Sequence, residues 1–110
     1  MPPSFTPLPR DEQLPQLENE VRDQIAEMMK QKGLGWMRLR TLYTVNECGS
    51  MYQAARELYL SSGVSTVRNR IRTLEKDLGL ILLISDGTGS QTTKAGMAVL
   101  ALVKSEFSKS

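Results

Sequence analysis

Apolar positions follow the period of an α-helix along most of this chain and give way to a short continuous run only once. The clearest stripe lies in residues 64–79, VSTVRNRIRTLEKDLG, where Val64, Val67, Ile71, Leu74 and Leu78 step by three and four. At 3.6 residues per turn these positions fall along one side of a helix and face a core. The other side carries Ser65, Thr66, Asn69, Arg72, Thr73 and Lys76, with Arg68 and Arg70 on its flanks. That side offers hydrogen-bond donors and positive charge and suits the edge of a DNA groove. The plainer reading is a helix surface turned to water, where charged side chains usually sit.

Similar patterning predicts the other elements. A helix is expected from Pro15 to Lys32, with Pro15 at its first position, Gly33 as its stop and a narrow stripe of Leu17, Val21, Ile25, Met28 and Met29; proline tolerates the first helical position and glycine favours the position after the last. That stripe packs either on the domain's own core or on a second subunit. GLGW at 33–36 is read as a break, and a second helix is expected from about Met37 to Cys48 with Leu39, Leu42, Tyr43 and Val45 inside. Ser50 and Gln53 have the spacing of a capping box opening a short third helix, SMYQAAREL. Its Ala54 and Ala55 allow close approach to the next helix, and the turn YLSSG ends in a glycine able to take a left-handed conformation. Short helix, turn and longer basic-faced helix make up a helix-turn-helix. LILLIS at 80–85 is the continuous run and reads as a buried strand. DGTGS follows as a turn, Gln91 and Thr92 form the return strand, and Thr93 caps a final helix with Met97, Leu100, Val103 and Phe107 inside. The fold class expected is therefore mainly α with a small β-hairpin wing.

Composition narrows the function more than the fold. With 110 residues, 40% hydrophobic and 24% charged, the chain suits one domain: a proline-rich tail at 1–13, then residues 14–110 with an added N-terminal helix (14–33) and a C-terminal helix (93–108). No apolar run nears the ~20 residues needed to span a bilayer and no signal peptide is apparent, so a cytoplasmic protein with no membrane partner is expected. Net charge is +2, yet residues 1–35 hold four basic against six acidic side chains, a net of −2, which leaves +4 for the rest. That asymmetry is compatible with a nucleic-acid partner for the later part. There is no histidine and one cysteine, Cys48. Without paired metal ligands or a glycine-rich phosphate loop between strand and helix, no catalytic constellation is assembled, and neither enzymatic activity nor a cofactor or metal is expected. Cys48 is read as a small buried hydrophobe and Trp36 as a packing residue.

From about Leu39 to Gly96 the order of residues resembles the DNA-binding domain of LysR-type transcriptional regulators. The resemblance rests on Leu42 and Tyr43, GSMYQAAREL at 49–58, IRTLEKDLG at 71–79, LLISDGTG at 82–89 and TKAG at 93–96. Members usually open the recognition helix with L-x-V-S-Q-P-A-V-S. Here YLSSGVSTVRNR follows Leu58, two residues longer and without that glutamine and proline. Ser85 stands where arginine is frequent and Thr92 where leucine is, and the N-terminal helix is an addition. Members also continue into a large effector-binding domain, so no small-molecule sensing is inferred for this chain.

The resemblance implies a winged helix-turn-helix whose final helix pairs two subunits, setting two recognition helices in major grooves about 34 Å apart. Arg68, Arg70, Arg72 and Lys76 are then candidates for phosphates or guanine edges, Asn69 for adenine, and Ser65, Thr66 and Thr73 for the backbone side of the groove. Arg72 and Asn69, furthest from the apolar stripe, are the groove-side candidates. Arg70 has an equal alternative in a salt bridge to Glu75 or Asp77. Thr88, Ser90 and Lys94 are the wing candidates. The partner expected is double-stranded DNA, bound by a homodimer formed through the C-terminal stripe (Met97, Leu100, Val103, Phe107) or the N-terminal one (Leu17, Val21, Ile25, Met28). Such a protein is a transcription regulator or a factor marking a plasmid or phage site. The competing reading is a winged-helix interaction module that does not read DNA and holds a protein partner on the N-terminal stripe.

Overall fold

A computed structural model of the chain describes residues 14–61, 63–86 and 89–108; the tail expected at 1–13 and the wing candidate Thr88 lie outside them. The described residues form α1 (Asn19–Gln31), α2 (Leu34–Cys48), α3 (Met51–Glu57), α4 (Val64–Leu78), the antiparallel hairpin β1 (Leu83–Asp86) and β2 (Gly89–Thr92), and α5 (Lys94–Phe107). Three consecutive helices, α2 to α4, followed by the hairpin make a winged helix-turn-helix. No helix among the described residues is long and apolar enough to cross a membrane.

Helix α2 is the hub, in contact with α1, α3, α4 and α5. Its Leu39, Leu42 and Val45 are wholly buried. Around them close Val67, Ile71, Leu74 and Leu78 of α4, Ala54 and Ala55 of α3, Ala98, Val99, Leu100 and Val103 of α5, and Leu82 ahead of β1. Ser50 starts α3 as its spacing predicts, its hydroxyl accepting from the Gln53 amide at 3.0 Å. Replacing Ser50 with alanine is expected to cost about 1 kcal/mol, read as a lower urea midpoint at unchanged slope. An unshifted midpoint means that water satisfies that amide equally well.

The first helix begins four residues later than expected. Pro15 lies in an extended lead to Glu18, the N-cap, and Lys32 ends the helix in the left-handed region (φ 52°) with its amide donating to the Met28 carbonyl. Gly33 instead caps α2, which takes in Gly35 and Trp36, so the break is far shorter than GLGW suggests. The reason is packing: a Cβ at Gly35 would run into the side chain of Met28, and its absence lets the first turn of α2 lie against α1. Trp36 in that turn sits 5.2 Å from Phe107 of α5, ring to ring, and Tyr43 lies 5.7 Å from the same phenyl ring. These tilted pairs join α2 to the end of α5.

Both stripes offered as dimer faces are mostly turned inward. Leu17, Val21 and Ile25 are buried with Met28 packed beside them, and Leu100 and Val103 are buried with Phe107 against the same core, while Met97 is half-buried. The N-terminal stripe thus takes the own-core alternative and is not the docking surface of the interaction-module reading, and the expectation that the C-terminal stripe as a whole is left for a second chain is corrected. The stripes are consumed because α1 and α5 both need α2 as a partner.

The strand also differs from expectation. LILLIS is not buried throughout: Leu82 is, whereas Ile81 and Ile84 are 69% and 56% exposed. Pairing starts only at Leu83, opposite Thr92, and Ser85 faces Ser90. Leu82 keeps one bond in the same register, its carbonyl accepting from the Thr93 amide at 3.0 Å, but its own amide turns away to the Glu75 carboxylate at 2.8 Å, which ends the pairing. Thr93 caps α5 by accepting from the Gly96 amide at 3.0 Å and donates its hydroxyl to the Ile81 carbonyl. A side chain at Gly96 would strike the Leu82 carbonyl and Thr92, so only glycine lets the first turn of α5 come this close.

Candidate nucleic-acid interface

With Val67, Ile71, Leu74 and Leu78 fixed in the core, the geometry of the helix determines what α4 shows to solvent. Ser65, Arg68, Asn69, Arg72 and Lys76 are exposed; Thr66, Arg70 and Thr73 are half-buried. The donor-rich side is therefore open at Ser65, Asn69, Arg72 and Lys76, as the stripe predicts, and partly covered at Thr66 and Thr73.

The turn ahead of α4 is built differently from the sequence reading. Gly63 has the positive φ expected (69°), with ψ at −141°, and acts as the N-cap. A second positive φ falls on Tyr59 (55°), which closes α3 with its amide donating to the Arg56 carbonyl and the Leu60 amide to Ala55. The Tyr59 side chain is 94% exposed. Nothing in the residue type signals this, because a tyrosine rarely takes that conformation.

Arg70 has neither of the partners considered for it. Its guanidinium donates to the Thr41 hydroxyl of α2 at 3.3 Å, and that buried hydroxyl donates to the Met37 carbonyl at 2.8 Å. Asp77 instead lies 3.7 Å from Arg38 of α2, and the Glu75 carboxylate accepts from the amides of Leu82 at 2.8 Å and Leu83 at 3.3 Å. The pairs Arg38–Asp77 and Thr41–Arg70 thus tie α4 to α2. Thr41 was not singled out from sequence, since a helical threonine reads as an ordinary surface residue, and Glu75 was considered only as a partner for Arg70.

The hairpin sits next to α4 and is held at several points. The Ser90 amide donates to the Gly49 carbonyl at 3.4 Å, and the Thr92 hydroxyl to the Asn46 side chain at 2.8 Å, which attach β2 to the corner between α2 and α3. A depression of about 220 Å³ between helix and wing is lined by Arg68, Arg72 and Glu75 of α4, Ser85 and Leu83 of β1, and Met51 of α3. Two of the arginine candidates and the wing open on this one space, and Ser85 joins them although it was noted only as a departure from the family pattern. Ser90 lies opposite Ser85 across the strands, and Lys94 is exposed at the start of α5.

Lys76 is placed apart from the other basic residues. It opens on a shallow groove shared with Glu18, Glu20, Asp23 and Glu27 around α1, while Gln24 donates to the Asp77 carbonyl at 3.2 Å. Its surroundings are therefore more acidic than those of Arg68 and Arg72.

Cys48 is half-buried, and burial first, then the Glu57 and Glu47 carboxylates, pushes its thiol above the usual range. It stays protonated near neutral pH, the unreactive form. The arrangement around α4 offers guanidinium, amide and hydroxyl donors on a convex rod beside a hairpin, which is binding chemistry for an anionic, grooved partner.

Residues 36–97 match the family model described as bacterial regulatory helix-turn-helix protein, lysR family. The match runs from Trp36 in α2 to Met97 in α5 and leaves α1 outside it. No curated protein and no solved structure matches the chain.

Proposed function

Since the chain belongs to the lysR family of bacterial regulatory helix-turn-helix proteins, whose members are DNA-binding transcription regulators, we propose that it recognises a specific double-stranded DNA site as a homodimer and acts in the cytoplasm. The observation that carries this reading is the uncovered side of α4: Arg68, Asn69 and Arg72 stand opposite a fully buried stripe and beside a wing. A convex helix of this kind fits the major groove, which is wide enough to admit one.

In this reading Asn69 and Arg72 face base edges, Asn69 matching the donor and acceptor pair of adenine and Arg72 the two acceptors of guanine. Arg68, Ser65, Thr66 and Thr73 serve the phosphates on either side. Ser85, Ser90 and Lys94 extend the contact along the backbone from the wing side, and Thr88 is kept as a candidate on its sequence position alone. Lys76 adds less than its charge suggests, because its surroundings are more acidic. Arg70 acts chiefly on the orientation of α4 through Thr41.

The homodimer proposed runs along the outer side of α5, where Leu102 is 39% exposed and Ala101 half-buried. This face replaces the buried Leu100 and Val103 as the seam. It would set two α4 helices to read half-sites about one helical turn apart.

A test starts from duplexes selected out of a random pool by the full chain, then titrated across a salt series. The expected result is tight binding whose logarithm falls linearly with the logarithm of salt, by about 0.9 per phosphate neutralised. Binding that ignores salt, or no retained duplex, overturns the reading.

A further inference from the structure

The wing, residues 83–92, contains no basic residue, so its use in binding depends on where it is held. Leu82 is the pivot. Its carbonyl is taken by the Thr93 amide at the start of α5, and its amide by the Glu75 carboxylate of α4, which also receives the Leu83 amide. One side chain of α4 therefore carries both of these amide links between that helix and the base of β1. Ser85 lies two residues further along β1, on the same side of the strand as Leu83, and lines the space that Arg68 and Arg72 line from the helix. Positions 68, 72 and 75 fall along one edge of α4, so the clasp and the two arginines share that edge.

A carboxylate beside an intended phosphate path is costly unless its charge is occupied, because like charges repel at this range. Here one of its oxygens accepts from two amide donors at the root of the strand, which engages the charge even though Glu75 lines the space. Its other effect is geometric. With Leu82 tied to α5 on one side and α4 on the other, the height of β1 over the recognition helix is fixed at its root.

Resting on the DNA-reading proposal above, we infer that Glu75 is a positioning residue for DNA binding. It clasps the wing to the recognition helix at Leu82 and Leu83, so that one phosphodiester strand is gripped between Arg68 on one side and Ser85 on the other, while Arg72 on the same edge stays with the bases. Glu75 does not touch the DNA. It sets the width of the space that the strand enters.

The test uses the full chain, a selected duplex, and the variants Glu75→Ala, Glu75→Asp and Glu75→Gln, with Arg72→Ala as control. Affinity is titrated over a salt series, and amide hydrogen exchange is followed at Leu82 and Leu83. Glu75→Ala is expected to bind about tenfold more weakly, to reduce the salt slope by about one, the signature of a lost phosphate contact, and to exchange both amides faster. Glu75→Asp keeps the charge but shortens the reach by one methylene, so it should behave as the alanine variant does; it carries the test if the alanine variant does not fold. Glu75→Gln retains an acceptor oxygen and should recover most of the affinity and slope. Arg72→Ala should weaken binding without altering exchange at Leu82 and Leu83. A purely structural role predicts a lower melting temperature with an unchanged salt slope, and that result overturns the inference. So do Glu75 variants that match the wild type while the wild type binds. If the wild type itself binds no duplex, the DNA-reading proposal falls and takes this one with it.

Discussion

Truncating Leu74 to alanine is expected to lower the free energy of unfolding by about 2–5 kcal/mol, a large share of the roughly 5–15 kcal/mol that holds a domain of this size together. Leu74 has no exposed surface and sits in the same cluster as Leu39 and Leu42 of α2 and Leu82 ahead of the wing. The cost has two parts, the apolar transfer energy of the lost methyl groups and the void left beneath the recognition helix. Four helices converge on α2, so the surroundings have little freedom to collapse into that void. Urea denaturation reads the result as a lower midpoint at an unchanged slope, and DNA affinity measured well below the midpoint should hold, because every contact side chain of α4 is retained. A loss under about 1 kcal/mol would show that the core beneath α4 is loosely packed.

The second large effect falls on binding alone. Arg72→Ala is expected to weaken binding to the selected duplex by about 1–3 kcal/mol, roughly five- to 150-fold, and to relax the preference at one base position. Arg72 is exposed, so the thermal midpoint should stay within a degree or so of the wild type. Arg72→Lys should recover salt-dependent affinity yet not the base preference, since an ammonium cannot make the paired contact of a guanidinium. Binding and preference identical to wild type would place Arg72 outside the groove.

The stripe in α4 was legible because it is strongly periodic, and periodicity reports one face against another without any knowledge of the partner. The Ser50 and Thr93 caps were legible for a similar reason: each side chain bonds an amide three residues on, a local event. What the sequence concealed is long-range. Gly35 reads as a helix breaker until Met28 is known to lie against it. Arg70 has two acidic side chains within seven residues and bonds Thr41, 29 residues away. Glu75 belongs to a motif that reads as an exposed helix end, yet its work is at Leu82 and Leu83. The two terminal stripes were each recognised as needing a cover; that both would find it on α2 depends on the tertiary arrangement, which periodicity does not encode. Of the candidate site, Arg68, Arg72 and Ser85 are brought to one space, and Lys76 is set among carboxylates around α1 that the linear charge count placed elsewhere.

The docking of α1 on α2 bears on how this reader can be transplanted. A chimera assembled from the family-matched stretch alone would carry every candidate contact residue and still arrive with an oily trough along its back, where Val21 and Ile25 had lain. Such a trough invites self-association between copies, and the acidic neighbours of Lys76 would be missing as well, leaving a stickier and less discriminating graft. The portable unit is α1 through α5, α1 included, together with the hairpin of strands.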